Sequence, residues 1–296
     1  LSVQPSSGMS ANLVDGKVNR AEADVTTTAN AYIKGNVSCV SNGSINVKVV
    51  GGAEDAAAKV SATARIDGAK FSVSGITVAA NYARTSVTAS QSAYIDGLGK
   101  ATAKGLSSLT GSVNVISKLN TASTATIGAN RAGVDSEGVG ITVNGISGTV
   151  STAESVSKTV NKAYIQNAVV EAVKNLVQIY ADTTSAVNPK SLQSVELAAS
   201  IASLNKQEVK TASDDDVEAF ITGQSKVTGW KVLVKAVGKS SVTATGSVPS
   251  ITLSAVDGGN VSLTASAGND GSKKTYAYIG SGSEVNATGV TDETDT

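Results

Sequence analysis

Apolar and polar residues alternate along most of this chain, most clearly in Ala64-Arg65-Ile66-Asp67-Gly68-Ala69-Lys70-Phe71-Ser72-Val73-Ser74-Gly75-Ile76-Thr77-Val78-Ala79. Small or branched apolar residues take turns with Ser, Thr, Lys or Arg, pause at a glycine-containing turn, and resume. A period of two predicts strands that bury one face. The same rhythm runs through Ile45, Val47 and Val49, through Val113 and Val115, and through Ile141 and Val143. It returns in Val232, Val234 and Ala236, in Ile251, Leu253 and Ala255, and in Val261, Leu263 and Ala265. The predicted strands are therefore short, parted by Asp-Gly, Asn-Gly or Gly-Gly. That pattern suits either the hairpins of a sandwich or the flat faces of a coiled array.

A recurring phrase decides between the two. Ala-Tyr-Ile stands at Ala31-Tyr32-Ile33, Ala93-Tyr94-Ile95, Ala163-Tyr164-Ile165 and Ala277-Tyr278-Ile279, with variants at Ala64-Arg65-Ile66, Ala125-Thr126-Ile127 and Ala219-Phe220-Ile221. The isoleucines at 33, 66, 95, 127 and 165 are 33, 29, 32 and 38 residues apart, and the next two steps, to 221 and 279, are 56 and 58. A sandwich needs no such repeat; a coil does, because equivalent residues must stand above one another. The expected fold is all-β, a parallel β-helix (β-solenoid) with roughly 30 residues per repeat. At ~4.8 Å per strand, about ten to thirteen coils would make a rod of about 50–60 Å. Alanine lets neighbouring sheets approach, isoleucine fills the space between them, and the following glycine permits a positive φ at the corner.

Two regions depart from this grammar. Residues 191–210, with Val195, Leu197, Ala198, Ile201 and Leu204, read either as a short helix or as another alternating strand. The polar ends lack the repeat, giving an expected division into an N-terminal cap or assembly segment (1–26), a repeat domain (27–289) and a polar tail (290–296). Because the chain starts at Leu1, it reads as a processed product or a segment of a larger one.

Composition sharpens the picture. Aromatics are 3 % of residues, so the core must be thin and built of small side chains. Lys+Arg and Asp+Glu number 24 each, without a long basic run, which argues against nucleic acid as a partner. Cys39 is the only cysteine and reads as a small filler ahead of a reactive thiol. No apolar run approaches the ~18 residues that span a bilayer.

There is no histidine, which removes the usual hydrolase triads and histidine-based zinc sites and leaves enzyme readings to carboxylates, Lys or Arg. Asp67 and Asp96 take equivalent places in successive repeats; stacked on one edge they would resemble a glycosidase pair, although Asp-Gly turns explain both. Asp214-Asp215-Asp216 with Glu218 is the densest acidic cluster. It reads as a solvated corner before a Ca²⁺ site, since no spaced acidic loop surrounds it. Asp257-Gly258-Gly259 and Asn269-Asp270-Gly271 read as turns. No catalytic, metal or cofactor residues are assigned. The candidate interaction residues are Tyr32, Tyr94, Tyr164 and Tyr278, which point away from their neighbouring Ala and Ile and would form an outer aromatic ladder. Such a ladder would either bind a flat sugar or a neighbouring fibre, or simply stabilise the stack. Trp230 joins them as a corner plug or interface anchor.

The Ala-Tyr-Ile-x-Gly phrase, with Val-x-Val-x-Ala strands after it and the approach Thr85-Ser86-Val87-Thr88-Ala89-Ser90-Gln91-Ser92 before it, resembles the repeats of leukotoxin-type filamentous adhesins. These are related in architecture to filamentous haemagglutinin, and the resemblance covers residues 27 to 289. It implies a right-handed β-helix, secreted or displayed on a bacterial cell surface, used as stalk or fibre and offering no catalytic residues. Members of that family are far longer, so this chain would be a fragment or a subunit that polymerises head to tail with itself. The expected function is that of a structural filament or adhesin component, with host or neighbouring cell-surface glycans as further candidate partners. A carbohydrate-binding or polysaccharide-degrading β-helix module and a phage or virus fibre are the alternatives.

Overall fold

The computed structural model describes residues 2–3, 10–51, 56–66, 71–97, 106–108, 111–128, 140–192, 196–247, 250–268 and 274–289. Among them every regular element is a strand. The first are β1 (Ser2–Val3), β2 (Ser10–Lys34), β3 (Cys39–Ser41), β4 (Ile45–Val49), β5 (Ala58–Ile66) and β6 (Phe71–Asp96). Next come β7 (Leu106–Ser108), β8 (Val113–Ile127), β9 (Gly140–Gln166), β10 (Val169–Val187) and β11 (Lys190–Leu192). The last are β12 (Glu196–Thr222), β13 (Lys226–Val242), β14 (Thr245–Ser247), β15 (Ser250–Ala267), β16 (Thr275–Ile279) and β17 (Glu284–Ala287).

The strands form two sheets in which all pairings are parallel. The long sheet runs β15-β12-β9-β6-β2, with β16 also on β12, and the interrupted sheet runs β1-β5-β8-β10-β13-β17 with the shorter strands beside this path. In chain order the backbone crosses from one sheet to the other and back, advancing one level each time. Parallel neighbours cannot be joined by tight turns. The hairpin option is thereby excluded for these pairs.

Two expectations are corrected, and the alternative left open at 191–210 is decided as strand over 196–210. The strands are long: β2, β6, β9 and β12 have 25, 26, 27 and 27 residues, and β6 and β9 continue as strand on both sides of Gly75 and Gly145, where the cross-strand pairing skips one position. Residues 196–210 lie in β12 and form no helix, because pairing with β9 on one side and β15 on the other satisfies their backbone as strand. The number of levels is smaller too. Ile33 pairs with Ile95, Ile95 with Ile165, Ile165 with Ile221 and Ile221 with Ile279, all in the long sheet, whereas Ile66 pairs with Ile127 in the interrupted one. The ~30-residue step is thus half a circuit, and the long sheet stacks five levels, about 24 Å at the usual strand spacing. β2 begins at Ser10 and crosses the boundary placed after residue 26; residues 290–296 lie outside the described residues.

Between the sheets, the columns Ala31-Ala93-Ala163-Ala219-Ala277 and Ile33-Ile95-Ile165-Ile221-Ile279 are each a single residue type. Their inner members pack on Val113, Val115, Val177 and Ile179 from the facing sheet. At the corner two residues beyond the isoleucine, Gly35, Gly97, Asn167 and Gly223 have φ of 91°, 72°, 49° and 70°. Left-handed backbone there favours glycine, and asparagine is the side chain that best replaces it.

Candidate functional site

The alternation that turns Ala and Ile inward turns the residue between them outward, and parallel pairing brings the five outward rings into one column. Tyr32 stacks on Tyr94 at 5.2 Å between centroids, Tyr94 on Tyr164 at 4.8 Å, Tyr164 on Phe220 at 4.8 Å and Phe220 on Tyr278 at 5.1 Å. Interplanar angles are 15°, 2°, 4° and 8°. All four predicted tyrosines belong to the ladder. Its fourth member, Phe220, was missing from the predicted set although the phrase Ala219-Phe220-Ile221 carries the same signal.

The ring faces that would carry a flat sugar are turned onto neighbouring rings. Free faces remain only at the two ends, and exposure follows: Tyr32 is 59 % and Tyr278 42 % exposed, Phe220 only 8 %. Burial pushes the Tyr164 phenol up, aided by Tyr94 and Asp96, and burial followed by the nearby Glu218 carboxylate does the same for Tyr278. Beside the ladder, Lys162 pairs with Glu218 at 3.0 Å and Lys34 lies 3.9 Å from Asp96. Trp230 does not join it. It stands in β13 of the other sheet, 51 % exposed, with Gly289 against its ring.

Among the described residues the carboxylates form no converging group. Asp67 lies outside the described residues, although Ile66 before it and Ile95 before Asp96 stand in different sheets, and Asp96 faces Lys34. Asp214-Asp215-Asp216 is no corner: it lies within β12, paired with Lys158, Thr159 and Val160. Asp215 points between the sheets, where Ser185 donates to it at 2.8 Å, Thr159 at 2.5 Å and Ser213 at 3.3 Å, and Ser240 donates as well. The alternation Ser213, Asp215, Val217, Ala219 placed that carboxylate inside. Among the described residues no group of His, Cys, Asp and Glu is arranged to hold a metal. Asp257-Gly258-Gly259 is strand within β15, paired with β12, and 269–271 lies outside the described residues. Glu208 and Glu284 are held below the usual carboxylate range, Glu208 by the hydrogen bond from Lys210, Glu284 by those from Asn286 and Lys226.

Exposed apolar residues also lie on the outer face of the long sheet, at Val78, Val150 and Leu204, and a further apolar feature is at the last level. A cavity of about 430 Å³ is lined by Val232, Val234, Ala277, Tyr278, Ile279, Val285 and Ala287. Ile279, whose column mates Ile95, Ile165 and Ile221 are fully buried, is 54 % exposed. Comparison with protein-family models, with curated proteins and with solved structures finds no match. Among the described residues no helix is long and apolar enough to cross a membrane.

Proposed function

We propose that this chain is a β-solenoid subunit or segment of an extracellular, surface-displayed bacterial filament or adhesin, and that it lengthens by joining end to end. The observation that carries the reading is the ladder pair: identical isoleucine and near-identical aromatic columns run through all five levels and stop, at the last one, on exposed apolar residues. A parallel stack ends on unpaired backbone donors and acceptors, which accept another strand unless something covers them. Joining of one end to the other end repeats a heterologous contact and gives a filament. The surface setting and the adhesive use rest on the resemblance of the repeat phrases to filamentous adhesins. A glycan-binding role for the ladder is disfavoured because its ring faces are already stacked.

Sedimentation of the purified chain over a range of concentrations tests the assembly. Growth to large, polydisperse species with rising concentration is expected; a single monomeric species at the highest concentration would speak against the reading.

A further inference from the structure

The two ends of the stack share the Ala-Tyr-Ile triplet and the length of the corner that follows it. The first level of the long sheet presents Ala31-Tyr32-Ile33, and the last presents Ala277-Tyr278-Ile279. From Ile33 the chain takes six residues to reach Cys39 in the other sheet, and from Ile279 six residues to reach Val285. The second level takes eleven, from Ile95 to Leu106, the third takes five, from Ile165 to Val170, and the fourth takes six, from Ile221 to Val227. Cys39, Leu106, Val170, Val227 and Val285 form one column by backbone register. Cys39 and Val285 both pack against the main apolar cluster, so both turn inward.

The partial strands at the ends also fit together. β17 covers only the beginning of β13, at Lys226 to Gly229, while β1 lies under the far end of β5, at Thr63 and Ala64. These are different columns of the same sheet, so neither obstructs the other when two copies meet.

We propose that the docking partner of the last level is the first level of a second copy of this chain, in a defined register. Tyr32 of the incoming copy stacks on Tyr278, Ala31 and Ile33 lie on Ala277 and Ile279, and Cys39 lies on Val285. The aromatic ladder then continues without a break, and Ile279 gains the covering neighbour that its column mates have. This deepens the end-to-end reading and rests on it.

The register predicts a specific covalent capture. Stacked parallel strands hold paired Cα atoms ~4.8 Å apart, inside the roughly 4.4–6.8 Å span that a disulfide bridges. In a Val285→Cys variant, mild oxidation should link residue 285 of one copy to Cys39 of the next and produce a reducible series of dimers, trimers and longer products. The double variant Val285→Cys with Cys39→Ser should yield no disulfide-linked product, not even a dimer. Light scattering on the same samples separates the two levels of inference. Large assemblies without the covalent series would overturn the register and leave end-to-end growth standing; neither assemblies nor series would overturn both. A reducible dimer in the double variant, which carries one cysteine per chain, would place the two Val285 ends together and contradict the head-to-tail joint.

Discussion

Near the corner that follows each Ala-aromatic-Ile triplet, the interior is filled by large branched side chains; toward the opposite corner it is filled mainly by alanine. The first region contains Ile95, Ile165, Ile179, Ile221, Val113, Val115 and Val177 beside the alanines of the triplets; the second contains Ala21, Ala23, Ala62, Ala64, Ala83, Ala125 and Ala153, with Val87 and Val209 from the long sheet and Ile66 and Ile127 from the interrupted one. Hydroxyls and amides occupy the space between them. Ser123 donates to Thr85 at 2.7 Å, Thr85 and Ser155 share a hydrogen bond at 2.8 Å, and Thr121 donates to Ser185 at 3.0 Å. Gln91 reaches the carbonyls of Val49 and Lys118, and Asn161 those of Ser117 and Asp182, all on the facing sheet. The difference teaches how a chain poor in aromatics sets the spacing of its walls. Burial of branched side chains supplies most of the stabilisation at one end, while directional bonds in the middle tie a given column of one sheet to a given column of the other.

The largest effect should come from the branched region. Ile165→Ala, at the central level and fully buried, should cost about 2–5 kcal/mol in denaturant unfolding. In the alanine region, Ala153→Gly should cost only about 0.5–1 kcal/mol. Equal losses at the two sites would erase the contrast.

The middle zone comes next. Asn161→Ala strands the carbonyls of Ser117 and Asp182 and should cost about 1–3 kcal/mol. A loss below the lower figure would mean that these bonds align the sheets without stabilising them. For the ladder, Tyr164→Leu retains an apolar side chain but removes two stacked pairs, each worth roughly 0.5–1.5 kcal/mol beyond area. Unchanged stability there would reduce the column to simple burial.

Tyr180, on the interrupted sheet, gives a pH signature. Burial, and then its hydrogen bond to Asp182 at 2.8 Å, push its phenol up to about 12. A raised folded value means that the neutral phenol stabilises the fold in full below the ordinary value near 10, and that this contribution is lost as pH rises toward 12. Ultraviolet titration, compared with Tyr180→Phe, should show the late transition, and Asp182→Asn should bring it to lower pH. The smallest effect is expected at the surface pair: Lys162→Met should change stability by about 1 kcal/mol or less and only at low salt.

Much of this arrangement could be read from the sequence for a physical reason. Alternation assigns Ala31, Ile33 and their equivalents to one face and the tyrosines to the other, and repetition requires equivalents to stack. The circuit length could not be read in the same way. Ala64-Arg65-Ile66 and Ala93-Tyr94-Ile95 obey one local grammar although they stand in different sheets, because both sheets face the same interior. Strand length was hidden by glycine: in a parallel stack, Gly145 lies against the carbonyl of Gly75 within continuous strands, where in isolation each looks like a turn. Asp215 was taken for solvent-exposed by residue type, whereas its place in the alternation turns it inward toward four hydroxyl donors.

The most direct measurement is the axial repeat of aligned or frozen-hydrated assemblies of the pure chain, by diffraction or electron microscopy. A strand spacing of ~4.8 Å with a subunit repeat of five strands, about 24 Å, is predicted. Assemblies that lack the ~4.8 Å axial spacing, or whose subunit repeat is not five stacked strands, would contradict end-to-end continuation of the ladder.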